Sequence, residues 1–120
     1  MKKLIILFAV TFLSFGLFAQ KAHIEGSAEN FKKNVESGDI KVEMPEKSDA
    51  DEINRSSKYY VDYFTVDYNE ETRIADIKMV DNTSESRRVI NRFFLSNNVR
   101  IVELDGEEYS INEFYSSFLE

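Results

Sequence analysis

The chain has 120 residues, no cysteine and one histidine, and its 22 acidic side chains outnumber 15 lysines and arginines to give a formal charge of −7. Without cysteine there is no disulfide, no lipidated cysteine, no thiolate metal site and no thiol nucleophile. The acidic balance argues against nucleic acid or an anionic membrane surface as partner, and the length suits one domain.

Residues 1–19 read MKKLIILFAVTFLSFGLFA. Lys2 and Lys3 precede an uncharged apolar run from Leu4 to Phe18, and Ala19 stands before Gln20. This order of charged, apolar and small-residue regions predicts a secretory signal peptide over 1–19, with an apolar run shorter than the roughly 20 residues a membrane span needs. The expected location is periplasmic or extracellular, with no stable membrane span after cleavage. Its removal takes two lysines and no acid, leaving 13 basic and 22 acidic residues, a net charge of −9.

Residues 20–57 read as an acidic, weakly structured segment. Ile40, Val42 and Met44 alternate like a short strand, and Ala28 to Glu36 suggests a helical turn or two around Phe31 and Val35, stopped by Gly38. From Pro45 to Lys58 the only large apolar side chain is Ile53, which predicts a solvated linker.

Residues 58–120 carry the pattern of a packed domain. Tyr59 to Asp67 and Arg73 to Val80 are rich in β-branched and aromatic residues and predict two strands joined by a turn at Asn69 to Thr72. Asn82, with Glu85 three residues on, predicts a helix start, and Val89, Ile90, Phe93 and Phe94 form its apolar stripe before a stop at Ser96 to Asn98. Val99 to Leu104 follows as a strand, and Asp105-Gly106 predicts a tight hairpin into Glu107 to Tyr109. Ser110 and Glu113 form a capping box for a last helix whose stripe is Ile111, Phe114, Tyr115, Phe118 and Leu119. The expected fold is α+β: a small two-layer domain in ββαββα order, a mixed sheet with two helices on one face. That order equals a circular permutation of the ferredoxin-like βαββαβ arrangement, which carries no function with it.

Chemistry-bearing residues are sparse. His23, the sole histidine, falls in the weakly structured segment and is expected to be solvent-exposed. The four glycines are scattered and form no phosphate-binding loop. Glu70-Glu71, Glu107-Glu108 and Asp49-x-Asp51-Glu52 read as solvated surface, and the last lacks the glycine and downstream glutamate of an EF-hand loop. Arg87, Arg88 and Arg92 read as partners of nearby acids. No catalytic residue, metal site or cofactor is therefore expected.

The feature that points outward is aromatic. All six tyrosines lie between Tyr59 and Tyr115, and a two-layer domain covers one sheet face only. If Asp76 and Lys78 face solvent, Tyr59, Tyr63 and Thr65 on the adjoining strand share that face, a surface suited to a protein, peptide or glycan partner. Two functions follow: an exported, non-catalytic binding module, or a carboxylate-dependent hydrolase or hydrolase inhibitor working in the cell envelope, with Glu107 and Glu108 as its acids.

Overall fold

The computed structural model describes residues 20–120, so the expected signal peptide lies outside them. Six strands form one mixed sheet: β1 (Lys21–Ile24), β2 (Asp39–Glu43), β3 (Phe64–Asn69), β4 (Ile74–Met79), β5 (Ile101–Leu104) and β6 (Glu107–Ser110), in the spatial order β3-β4-β2-β1-β5-β6. Four helices accompany it: α1 (Ala28–Ser37), α2 (Ala50–Ser57), α3 (Ser84–Ser96) and α4 (Ile111–Phe114), the last continuing as a π turn through Leu119. The sheet is antiparallel except where β1 runs beside β5, with Lys21 to Ile24 opposite Ile101 to Leu104.

The fold is α+β, as the patterning of the second half predicts, but the first half is no linker. β1 and β2 stand in the middle of the sheet and separate β4 from β5. The crossover through α3 thus steps over two strands, and the arrangement differs from a four-stranded permuted ferredoxin-like sheet made of residues 58–120 alone. Two short strands suffice for this role because each contributes only a few buried side chains: Ala22 and Ile24 from β1, Ile40 and Val42 from β2. β1, with four residues, leaves almost no periodic signal, whereas β2 follows the alternation of Ile40, Val42 and Met44.

The interval expected as a solvated linker folds as α2. Asp49 caps it by accepting from the Asp51 N–H at 2.9 Å, and Asp51 and Glu52 sit in its first turn, where the helix dipole favours acids. Ile53 is fully buried, so one apolar side chain docks the helix. Glu52 pairs with Arg55 one turn on.

The other helix ends follow local chemistry. Ser27 caps α1, and Gly38, with φ of 81°, ends it in the left-handed region that glycine tolerates. Asp105 and Gly106, with φ of 54° and 78°, make the tight β5–β6 hairpin. Ser110 accepts from the Glu113 N–H at 3.2 Å and donates to the Glu113 carboxylate at 3.0 Å. At α3 the cap is Thr83, which accepts from the Ser86 N–H, and not Asn82. The Asn82 amide instead donates to the carbonyls of Val35 and Glu36 at the end of α1, and its oxygen accepts from Arg87, whose Nε donates to the Leu119 carbonyl at 2.7 Å. Asn82 and Arg87 thereby tie the ends of α1, α3 and α4 together.

One core joins all these pieces. Phe31, Ile40, Ile53, Phe64, Ile77, Ile90, Phe93, Phe94, Leu104 and Phe114 are buried in a single cluster, in which Phe93 contacts Phe64, Phe94 and Tyr60 at ring-centroid distances of 5.8, 6.0 and 6.3 Å. Every helix buries apolar residues in that cluster together with the same alternate set of strand residues, so the helices cover one sheet face.

Candidate interaction surface

The alternation that buries Ala22, Ile40, Val42, Phe64, Ala75, Ile77 and Val102 points their neighbours to the other face, which carries none of the described helices. The register lays those neighbours out in rows. Thr65 lies opposite Lys78, and Lys78 opposite Asp39. Asp67 lies opposite Asp76, and Asp76 opposite Lys41. The longest row runs Asn69, Ile74, Glu43, His23, Glu103, Glu108 across all six strands. These side chains are exposed or half-buried, and nearly all are polar or charged.

The half of the face around β1 is electrostatically satisfied. Lys21 Nζ reaches Glu103 at 3.3 Å and Glu108 at 2.9 Å, His23 Nδ1 lies 2.9 Å from the other Glu103 oxygen, and His23 Nε2 lies 3.7 Å from Glu25. Arg73 donates to Glu43 at 2.7 Å, with Glu46 at 4.0 Å. The hydrogen bond from Lys21 holds the Glu103 carboxyl below its ordinary range against the opposing effect of burial, with His23 adding to it. Lys21, His23, Glu43, Glu46, Arg73 and Glu103 line a cleft of about 290 Å³ together with Met44. His23 is therefore a fixed member of the sheet, its side chain 39% exposed, and not a residue of a loose segment.

The half around β3 and β4 is different. Asp67 faces Asp76 directly, Asp39 lies diagonally from Asp76, and none of the three joins an ion pair among the described residues. One oxygen each of Asp39 and Asp76 is shielded from solvent without a hydrogen-bond partner. The Asp76 carboxyl is held above its ordinary range, first by burial and then by the Asp39 carboxyl, with Lys41 and Lys78 pulling the other way.

A carboxyl whose folded-state pKa is raised binds more protons in the folded than in the unfolded chain between the two values. Its contribution to stability is thus full below the unfolded value and is lost as pH rises through the folded one. Asp76→Asn, which cannot ionise, is expected to stabilise the protein at pH 7 by about 0.5–1 kcal/mol, the scale of a like-charge cross-strand pair. The gain should vanish in acid. Urea unfolding at pH 3 and pH 7 measures it, and equal effects at both would remove the charge explanation.

Of the surface expected from sequence, the structure brings together Thr65, Asp76 and Lys78 on adjoining strands of the open face. It does not bring the tyrosines there. Residues 58–60 form a 3-10 turn and β3 begins only at Phe64, so Tyr59 stands 77% exposed on the turn. Tyr63 packs against the core, its hydroxyl donating to Glu85 of α3 at 3.4 Å. The reason is tertiary. Tyr60 stacks on Phe64 at 5.7 Å and meets Phe93 edge-on, which takes the chain out of the strand before Phe64. Tyr60, Tyr63, Tyr68, Tyr109 and Tyr115 all pack on the core, so the open face is charged and not aromatic.

Glu107 and Glu108, the acids of the hydrolase reading, diverge on β6. Glu108 takes the Lys21 ammonium and Glu107 accepts from the Tyr109 hydroxyl at 3.0 Å. Arg87 is engaged by Leu119 and Asn82, while Arg88 and Arg92 are exposed. No group of three or more acidic or histidine side chains is placed to hold a metal ion among the described residues, and no described helix is long and apolar enough to cross a membrane. No family model, curated protein or solved structure matches the chain.

Proposed function

We propose that this is an exported, non-catalytic interaction module that engages a protein or peptide partner through the uncovered face and edge of its sheet. The observation that carries the reading is that six strands present one charged face that none of the described helices covers, with ion pairs at one end and aspartates outside any ion pair at the other. Such a face suits polar, register-dependent recognition more than burial of an apolar ligand. Export rests on the amino-terminal pattern of Lys2, Lys3 and the run from Leu4 to Phe18.

A photo-crosslinking amino acid placed at Thr65 or Lys78 in the native host is expected to trap a partner, whereas the same residue at the exposed helix positions Lys33 or Asn112 is not. Adducts from the helix layer alone, or from none of the four positions, would reject the reading.

One observation favours a second reading. His23, which lines the cleft, and Glu103 are placed as a base and its orienting carboxylate, with Nε2, 3.7 Å from Glu25, left as the accepting nitrogen when Nδ1–H donates to Glu103. On this alternative the protein is a hydrolase, and a screen of ester, glycoside and peptide substrates would return an activity that His23→Gln abolishes.

A further inference from the structure

We infer that β3 is a docking edge for an extended cationic peptide, which adds to the sheet as a seventh strand with its basic side chains on the open face. This rests on the interaction-module reading and names the class of partner.

The phase of the ladder shows which backbone groups are available. The Val80 N–H donates to the Tyr63 carbonyl at 2.9 Å, and the Met79 N–H donates to the Gly38 carbonyl at 2.7 Å. In an antiparallel ladder, directly opposed hydrogen-bonded pairs alternate along the strand. Thr65, Asp67 and Asn69 therefore bond to β4, and the N–H and C=O groups of Phe64, Val66 and Tyr68 point away from the sheet. None of these outward groups has a hydrogen-bond partner among the described residues. The other edge is shorter: β6 has four residues and runs straight into α4. β3 has six residues with no lysine, proline or bulge to discourage pairing.

Charge selects the occupant. Beside this edge the open face forms a broad groove of about 810 Å³, lined by Asp67, Glu70, Glu71 and Asp76 with Lys41 as its one cation. Asp67 is the outermost of these, and its cross-strand neighbour on the inner side is another acid, Asp76. Lys78 lies diagonally from Asp67, opposite Thr65, and is shared with Asp76, so the edge is where a further compensating charge can be added beside Asp67. A strand added there places every second side chain on the open face, next to Thr65, Asp67 and Asn69, and the alternate ones against the half-buried Val66 and Tyr68. The matching sequence alternates basic with apolar or β-branched residues. A second copy of this chain is the poorer occupant: without the signal each copy carries 13 basic and 22 acidic residues, a net charge of −9, and antiparallel pairing of two β3 strands brings two acidic edges together.

The test uses the protein with its signal removed and a short synthetic peptide alternating Lys with Val or Thr, beside a counterpart alternating Glu with the same residues. Fluorescence anisotropy should show binding of the basic peptide only, weakening as salt is raised. Hydrogen exchange should show protection appearing at the Phe64, Val66 and Tyr68 amides, which in the free protein exchange faster than those of Thr65, Asp67 and Asn69. Val66→Pro removes one outward donor while sparing every bond to β4, and is expected to weaken binding about tenfold or more. Asp67→Lys, which leaves the backbone intact, should reverse the preference toward the acidic peptide.

Equal binding of both peptides, binding without protection of the three outward amides, or a β3-mediated dimer that forms without peptide would each overturn the inference. Should the basic peptide not bind while crosslinks from Thr65 and Lys78 persist, this inference falls and the interaction module stands. Loss of the crosslinks as well takes both.

Discussion

A chain beginning at Lys58 is expected to show no cooperative unfolding transition, although residues 58–120 contain the patterned half of the sequence. Those residues supply β3, β4, α3, β5, β6 and α4, but no strand pairs β4 with β5 in their absence. Residues 20–57 contribute Ala22, Ile24, Phe31, Val35, Ile40, Val42, Met44 and Ile53, eight of the twenty-one buried apolar residues among those described, and the two strands that join the outer hairpins. Deleting them splits the sheet into two separate hairpins. An isolated two-stranded hairpin is at best marginal in water, and a domain this small has only about 5–15 kcal/mol of net stability to lose. Circular dichroism and calorimetry of the shortened chain check this. A sharp thermal transition in it would show that the second half folds alone and that the central strands are accessory.

Phe93→Ala is expected to be the most damaging single substitution in the helical layer. Its ring is fully buried and touches Phe64 of β3, Tyr60 of the 3-10 turn and Phe94 of its own helix. Truncation removes a large apolar group and leaves a cavity bounded by aromatic rings that cannot close over it, a loss of about 3–5 kcal/mol. For a domain of this size each 1 kcal/mol lowers Tm by roughly 4–8 °C. Phe118, only half-buried and at the margin of the cluster, should cost much less when cut to Ala. Urea unfolding of the two variants orders them, and a smaller loss at Phe93 than at Phe118 would place the centre of the core elsewhere. Because Phe93 also holds Tyr60, its loss should loosen the turn that leads into β3 before it affects the ion pairs around β1.

The secondary structure of the second half could be read because it rests on interactions close in sequence. Ser110 and Glu113 cap α4, Asp105-Gly106 turns the last hairpin, and the spacing of Val89, Ile90, Phe93 and Phe94 requires a helix with one buried stripe. The same reasoning predicts a strand over Tyr59 to Asp67, where β-branched and aromatic residues are dense, and the structure starts it only at Phe64. There the contacts of Tyr60 with Phe64 and Phe93 override propensity and make a 3-10 turn. Asn82 failed as a cap for a related reason, since the end of α1 competes for its amide.

The open face was legible in part. Asp76, Lys78 and Thr65 follow from strand alternation and the β3–β4 hairpin register, both local properties. His23, Glu103, Lys21 and Glu43 did not, because they meet across strands with partners 20 to 82 residues apart in the chain. Nothing in the sequence around His23 announces a central strand: KAHI buries only Ala22 and Ile24, and an alanine is as much at home on a surface as in a core.

The sequence by itself determined the class of the fold, the helices of the second half, its tight turn and the acidic character of the surface, since these depend on composition and on residues within a turn or two of each other. Only the tertiary structure decided which strands stand at the centre, that β3 is left with an unpaired edge, and that its outermost acid faces another acid. Strand order is set by the summed burial of many small contributions from distant segments, and no single segment carries that sum.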